Sequence, residues 1–355
     1  MAERSTVEAL WFGTGIVATL VRTALFPAER AYAAIVAARS SLYDRGVLRS
    51  HAAALPVLSI GNLTVGGTGK TPVAAWAAAE LAAAGAKPAI VLRGYGDDEP
   101  LVHARLLPGI PVIVSADRVA GAREARARGA DVVVLDDAFQ HRRIKRDADW
   151  VLVSADRWMR GRPRLLPAGP WRESLSALGR ASLAIVTRKA ASRSRANDVK
   201  AELLQRAPGI PVVIAHLAPD RLHSAEGAER RDLDTLRGAR VRLIAAVGDP
   251  GALRAQIEAE GATVDARFFP DHHAFSAREI AELAATAEPS TLVLCTLKDA
   301  VKIAPGWPRA APALWYVSQR VTVEDGLDQL SRSIRTVLRA RSSDPDAAGA
   351  GRPSL

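Results

Sequence analysis

VLSIGNLTVGGTGKTP (57–72) is the stretch from which the rest of the chain is read. Its first four residues have the apolar, branched character of a buried strand. Three glycines, at 66, 67 and 69, then let the backbone turn with its N–H groups converging, and Lys70-Thr71 opens an alanine-rich helical run with a stop at Gly85. Strand, glycine-rich loop and helix N-terminus in that order make a phosphate cradle. The amides and the helix dipole meet anionic oxygens, a lysine reaches the β- and γ-phosphates, and a threonine hydroxyl can ligate Mg2+. Thr64, Val65, Gly66, Gly67, Thr68, Gly69, Lys70 and Thr71 are therefore the candidate ATP contacts, and Lys70 is also a candidate catalytic group. The loop departs from G-x-x-x-x-G-K-[ST] at its first position, where Thr64 stands for glycine.

Outward from this loop, short β-rich runs alternate with alanine-rich helical stretches. The runs at 57–60, 89–92, 111–114, 132–135, 150–153 and 183–186 predict a mainly parallel α/β sheet, and a second set follows at 242–247, 262–268, 291–295 and 314–317. Between them, 211–238 reads as polar and irregular, and is expected to be a linker. The expected organisation is N-terminal interfacial helices (1–50), a P-loop kinase domain (51–210), the linker (211–238), a smaller C-terminal α/β domain (239–340) and a disordered tail (341–355) whose Ser, Asp, Gly and Pro lack periodic apolar residues. The fold class is α/β: a P-loop NTPase-like, mainly parallel sheet domain with a second, smaller α/β domain and N-terminal membrane-surface helices.

The N-terminal expectation rests on 6–26, an apolar stretch with Trp11 that Glu8, Arg22 and internal glycines interrupt. It falls short of the roughly 20 apolar residues a spanning helix needs. A second apolar run at 31–38 precedes Arg39, Arg45 and Arg49, which suits helices lying on a membrane with arginines towards lipid phosphate; helices that merely cover a core are the plainer alternative.

Composition bounds the rest. A chain of 355 residues, 48% hydrophobic and 24% charged, holds globular cores and is not a polytopic membrane protein. The lone Cys295 forms no internal disulfide and no thiolate zinc site, which suits a reducing compartment. A net charge of +10 suggests an anionic partner, be it nucleic acid, phosphorylated small molecule or lipid surface. Only seven of the 48 basic residues are lysine, and Lys70, Lys298 and Lys302 fall in motif-like segments. The run Arg142, Arg143, Lys145, Arg146 reads first as a solvated face.

VVVLDDAFQH (132–141) is an apolar strand ending in two aspartates, the arrangement that holds Mg2+ at the C-terminal edge of an α/β sheet; either Asp136 or Asp137 is the candidate ligand, with Thr71 as the third metal-site residue. His141 follows closely enough to line the site. With GNLTVGGTGKTP (61–72), RGYG (93–96), DEP (98–100), LLPAGPWRE (165–173), FPDHH (269–273) and KDAVK (298–302), this segment forms an ordered set that resembles the tetraacyldisaccharide 4'-kinase family, the lipid A 4'-kinases, over the chain as far as about residue 335.

The resemblance implies ATP- and Mg2+-dependent phosphorylation of the 4'-hydroxyl of a tetraacyldisaccharide 1-phosphate in lipopolysaccharide biosynthesis. The enzyme would act peripherally at the cytoplasmic face of the bacterial inner membrane, with no nucleic-acid partner. It also implies that Asp98 is the base and that His272, from the second domain, orients it across a cleft. Arg172, whose guanidinium suits bidentate phosphate binding, and His141 are the candidate substrate contacts. Against the family pattern, Ala138 replaces a glycine, Leu297 a glutamate, and Asp97 the glycine before Asp-Glu-Pro. The rival readings are a P-loop kinase or ligase acting on a soluble acceptor, and a nucleic-acid-linked partitioning ATPase.

Overall fold

The structure is a computed structural model and describes residues 6–94, 98–158, 163–288 and 290–342. Helices α1 (Thr6–Phe12), α2 (Ile16–Ala24) and α3 (Phe26–Asp44) come first. A first α/β set follows: β1 (Val57–Asn62), α4 (Lys70–Ala83), β2 (Pro88–Leu92), α5 (Asp98–Leu106), β3 (Val112–Val114), α6 (Arg118–Ala127), β4 (Val132–Asp136), β5 (Ala148–Ser154), β6 (Leu183–Arg188) and α7 (Arg193–Arg206). After β7 (Val212–Ser224) and β8 (Arg230–Asp232) comes the second set, β9 (Arg240–Ala245), α8 (Pro250–Ala259), β10 (Thr263–Phe268), α9 (Ala277–Ala285), β11 (Leu292–Thr296) and α10 (Leu297–Ile303), and then β12 (Leu314–Asp325) and α11 (Leu327–Ser342).

Among the described residues the strands join into one twelve-stranded sheet, ordered β10-β9-β11-β12-β7-β6-β5-β1-β4-β2-β3, with β8 on β7. Pairings are parallel except where β7 meets β12 and β8. Successive βα units run outward from β1 to β2 and β3, return to β4 beside β1, and cross to β5 on its other side. The sheet order therefore reverses at β1, and the loop after it opens into the crevice where doubly wound sheets bind ligands.

Strands β1, β2, β4 and β5 are buried along their whole length, because helices cover both faces. Leu58 and Ile60 pack with α4 (Val73, Ala77, Leu81) and α11 (Leu330, Val337) on one face. Val57, one residue out of phase, packs with α6 (Val119, Ala122, Ala125) on the other. The alanine-rich sequence of α4 suits this place, since small side chains let the helix sit close against the sheet.

The stretch 211–238, expected as an irregular linker, instead carries the 13-residue β7. Val212 to Ala215 are buried on β6, and beyond them buried Leu217, Pro219 and Leu222 are separated by the less buried His216, Ala218, Asp220 and Arg221. A two-residue period broken by Pro219 and Asp220 is a weak signal in sequence. Likewise β12 continues eight residues past the expected 317, and α11 runs to Ser342, inside the expected tail. The rest of that tail, and Tyr95, Gly96 and Asp97 of the RGYG-DDEP junction, lie outside the described residues.

The N-terminal helices touch the body through polar contacts. Trp11 Nε1 donates to the Pro167 carbonyl at 3.0 Å and Tyr32 Oη to that of Arg172 at 3.0 Å. The buried Glu29 accepts from Arg164 Nε and the Leu165 amide, each at 2.8 Å. No residue of α2 is buried: Ile16, Val17 and Leu20 are 80, 75 and 64% exposed, and Phe26 and Ile35 continue the apolar surface. Among the described residues no helix is long and apolar enough to cross a membrane. The basic run is largely spoken for: Arg142 pairs with Asp44 at 2.7 Å, and Arg146 bonds Asp149 and the carbonyls of Ala138 and His141.

Candidate active site

The loop after β1 takes the conformation its glycines allow. Gly66, Gly67 and Gly69 have φ of +79, +49 and +83°, and a Cβ at Gly69 would stand 2.2 Å from Leu217 Cδ1. Gly69 caps α4 in the left-handed conformation, and the first amides of that helix lack helical partners. The loop is braced from several elements: Asn62 Nδ2 donates to Thr68 Oγ1 at 2.9 Å, Thr187 Oγ1 to the Thr68 carbonyl at 2.9 Å, and Lys189 Nζ to the Gly67 carbonyl at 3.0 Å.

From Val65 to Thr71 the loop lines a cavity of about 1470 Å3. Thr64 does not. It bridges to Trp171 and borders a separate recess with Phe12 and Trp158.

Asp136 and Asp137 arrive at the end of β4, on the same cavity. Asp137 has φ of +50°, a conformation uncommon outside glycine, Asn and Asp. Its carboxylate lies 3.6 Å from Lys70 Nζ and 3.0 Å from Arg172 Nη1. Burial pushes its pKa up, but Lys70 and Arg172 outweigh that and hold it below the usual value. Arg172 thus lines the cavity while bound to an internal carboxylate.

Asp136 is bound differently: Oδ2 lies 2.9 Å from Nε2 of the buried His103, while Oδ1 is buried with no hydrogen-bond partner. Nearby Glu99 is pushed up by burial and by the Asp136 charge, against the pull of Lys298. An orphaned carboxylate oxygen, an acid raised by its acidic neighbour, and the Thr71 hydroxyl on one wall fit a divalent cation. Among the described residues no three His, Cys, Asp or Glu side chains converge as a metal-holding group.

The second half brings His272, on the loop after β10 with φ of +61°, to the opposite wall. His272 Nδ1 is 3.5 Å from Asp98 Oδ1, and Lys298 Nζ, on α10, is 3.2 Å from His272 Nε2 and 3.8 Å from Glu99. Lys302, one turn on, is 3.8 Å from Asp98 Oδ2. Burial raises the Asp98 pKa, but its hydrogen bond to His272 and the charges of Lys298 and Lys302 bring it below its ordinary value. The same hydrogen bond lifts His272, against burial and Lys298.

Asp98 is buried behind His272, which lines the cavity while Asp98 does not. His273 is occupied elsewhere, stacked on Phe269 and paired with Glu279 at 3.0 Å. His141 lines the cavity near α3, and burial with the charges of Arg118 and Arg146 lowers it to about 4, so it is neutral at neutral pH.

The cavity thus joins Val65 to Thr71, Asp136, Asp137, Arg172, His141 and His272, with Asp98 one contact behind. Sequence reading gave no role to His103, Glu99, Lys189, Lys298 or Lys302. Glu99, Lys298 and Lys302 stood in the quoted segments DEP and KDAVK without a role, and the four-residue spacing of Glu99 and His103 on one helix is the signal that could have linked those two.

The model of the family described as Tetraacyldisaccharide-1-P 4'-kinase matches residues 21–339. Among curated relatives, the tetraacyldisaccharide 4'-kinase of Anaeromyxobacter sp. (strain Fw109-5) is 38% identical, covering 94% of this chain and 97% of its own. That of Syntrophus aciditrophicus (strain SB) is 35% identical over 83% and 88%. A crystal structure described as the "apo" form of LpxK from Aquifex aeolicus in complex with ATP is similar with a TM-score of 0.71 and 27% identity, covering 89% of this chain and 99% of that one.

Proposed function

The chain belongs to the tetraacyldisaccharide-1-P 4'-kinase family, kinases of lipid A biosynthesis, and from that premise we propose how its cavity performs the transfer. ATP places its phosphates on the loop from Val65 to Thr71, and the γ-phosphoryl passes to the 4'-hydroxyl of a tetraacyldisaccharide 1-phosphate. The observation that carries this reading is one cavity walled by the phosphate loop on one side and by His272 and Lys298 on the other. Membership favours the lipid-linked acceptor over a soluble acceptor or a nucleic-acid-linked ATPase.

Phosphoryl transfer asks mainly for charge neutralisation and in-line placement. When phosphates enter, Lys70 exchanges its contact with Asp137 for the β- and γ-oxygens. Thr71, Asp136 and Asp137 are the residues that would hold Mg2+, which neutralises phosphate charge when bound. Asp136 is the stronger direct ligand, because Oδ1 is free whereas Asp137 already faces two cations.

The 4'-hydroxyl oxygen attacks γ-phosphorus, its bond to the β-bridging oxygen breaks, and the hydroxyl proton goes to Asp98. The lowered pKa keeps Asp98 ionised and ready to accept it. His272, donating from Nδ1, holds the carboxylate in place, and Lys298 at Nε2 occupies the ring's other nitrogen. Because Asp98 is buried behind His272, this step needs the His272 loop to shift as the substrate seats. A second reading, with His272 as acceptor and Asp98 orienting it, is favoured by the exposure of His272 to the cavity and opposed by the Lys298 ammonium on Nε2. Arg172 and His141 face the disaccharide side.

We also propose that α1 to α3 lie on the cytoplasmic leaflet of the inner membrane. Their exposed apolar row supports this, as does the cavity's reach to Tyr32 and Arg39 on α3, which puts its mouth beside that surface. The deciding experiment follows labelled γ-phosphate from ATP and Mg2+ to tetraacyldisaccharide 1-phosphate in micelles, with Lys70→Ala as control. Lys70-dependent product at the 4' position is the expected result; none from an enzyme that binds ATP refutes the reading.

A further inference from the structure

His103 belongs to no sequence motif, yet it sits fully buried beneath the nucleotide side of the cavity. It lies one turn along α5 from Glu99, so the two side chains share a face of the helix. Nε2 is 2.9 Å from Asp136 Oδ2, and Nδ1 is buried with no partner. These two facts fix the tautomer. A ring proton on Nδ1 would strand a donor in the interior and set a bare Nε2 lone pair against a carboxylate, whereas a proton on Nε2 makes a charge-assisted hydrogen bond. As core filling alone, an imidazole is a poor choice, since an aliphatic side chain fills the space without desolvating a polar ring.

We propose that His103 is a positioning residue for the cation site. By holding Oδ2 of Asp136 from behind, it fixes the carboxylate so that the unpartnered Oδ1 is offered on the cavity side. His103 touches neither nucleotide nor acceptor. The inference rests on Asp136 as a metal ligand, and it explains why one oxygen of a buried carboxylate is fully engaged while the other has nothing to accept from. Hydrogen-bond partners behind metal-ligating side chains commonly change metal affinity by about 10- to 100-fold when removed.

The test measures Mn2+ binding in the presence of ATP, by the loss of the free-ion paramagnetic resonance signal, and ATP binding in EDTA. His103→Leu is expected to weaken Mn2+ binding by about 10-fold or more, to leave metal-free ATP affinity within about twofold, and to be partly rescued in His103→Gln, which keeps an N–H donor. A folded His103→Leu protein with parental Mn2+ affinity overturns the proposal. Should that variant fail to fold, 15N-histidine spectra of the unmodified protein decide, His103 being assigned from the signal lost in His103→Gln: an Nε2–H ring supports the inference and an Nδ1–H ring overturns it. Asp136→Ala separates the two levels. If it leaves Mn2+ binding intact, the metal-ligand reading itself fails; if it abolishes binding while His103→Leu does not, only the role of His103 fails.

Discussion

Replacing Ile16, Val17 and Leu20 together by serine should detach the enzyme from lipid without touching its fold. The three side chains are 80, 75 and 64% exposed, and α2 has no buried residue, so they contribute little to internal packing. Serine is close to Ile and Val in helix propensity, so α2 itself is retained. Fully burying a Val, Leu or Ile side chain is worth about 1.5–3 kcal/mol; the lower figure, scaled by these exposures, gives about 1 kcal/mol per residue and about 3 kcal/mol for the set. At about 1.4 kcal/mol per tenfold, vesicle partition falls about 100-fold.

Sedimentation with anionic phospholipid vesicles measures the partition, with the melting temperature and ATP affinity as controls expected to stay unchanged. A triple variant that partitions within threefold of the parent refutes the interfacial role of α2. Deleting residues 1–30 would be a poorer test, because it also removes Trp11 and Glu29, which hold the segment around Arg164 to Pro167.

Asp98→Asn should lower kcat by about 10^2- to 10^4-fold with little change in ATP affinity, read from steady-state kinetics and nucleotide titration; near-parental turnover would remove Asp98 as proton acceptor. The dyad also predicts a pH signature. His272 is raised above 6.5, so its stabilising contribution is complete below that value and lost as pH rises through the raised pKa; Asp98 is lowered below 3.8, so its contribution is present above that value and lost as pH falls through the lowered one. His272→Ala should therefore flatten the alkaline side of the unfolding free-energy profile, measured by denaturant titration across pH, and an unaltered profile would count against the pairing. Gly69→Ala and Gly85→Ala form a matched pair, both at φ of +83°, one with Leu217 Cδ1 2.2 Å from the added Cβ and the other with nothing within 4 Å. Thermal melts should show Gly85→Ala costing about 1 kcal/mol from backbone strain alone, and Gly69→Ala about 1–3 kcal/mol more from overpacking; equal losses would contradict the packing of the loop against β7.

The phosphate loop was legible because each residue's local requirement appears in the sequence: a fully buried strand needs the apolar run before Gly61, and three left-handed positions need the glycines that stand there. The resemblance supplied Asp98 and His272, and the fold brings them within 3.5 Å. Other contacts left no local trace. His103, on α5, and Asp136, at the end of β4, are 33 residues apart in the chain and joined only by the fold, and Arg172 meets Asp137 through a loop from beyond β5. β7 was hidden by Pro219 and Asp220, which sit where the strand leaves β6 and pairs with β12 alone, so the ladder tolerates residues that a central strand would reject.

That pairing governs how His272 finds its partner. β7 begins on β6 in the first half and ends beside β8, and β12 begins on β11 in the second half and ends against the start of β7, so the two halves share an antiparallel ribbon rather than a tether. Its ladder slips twice, between Val317 and Gln319 and between Val323 and Asp325, and the first slip lies close to where each strand passes from one half to the other. A flexible linker would leave His272 to search a volume, and the encounter with Asp98 would depend on a diluted effective concentration. A ribbon removes that search. Approach and retreat become a torsion about one bulged ladder, with an elastic restoring force set by sheet twist, and little conformational entropy is left for substrate binding to extract.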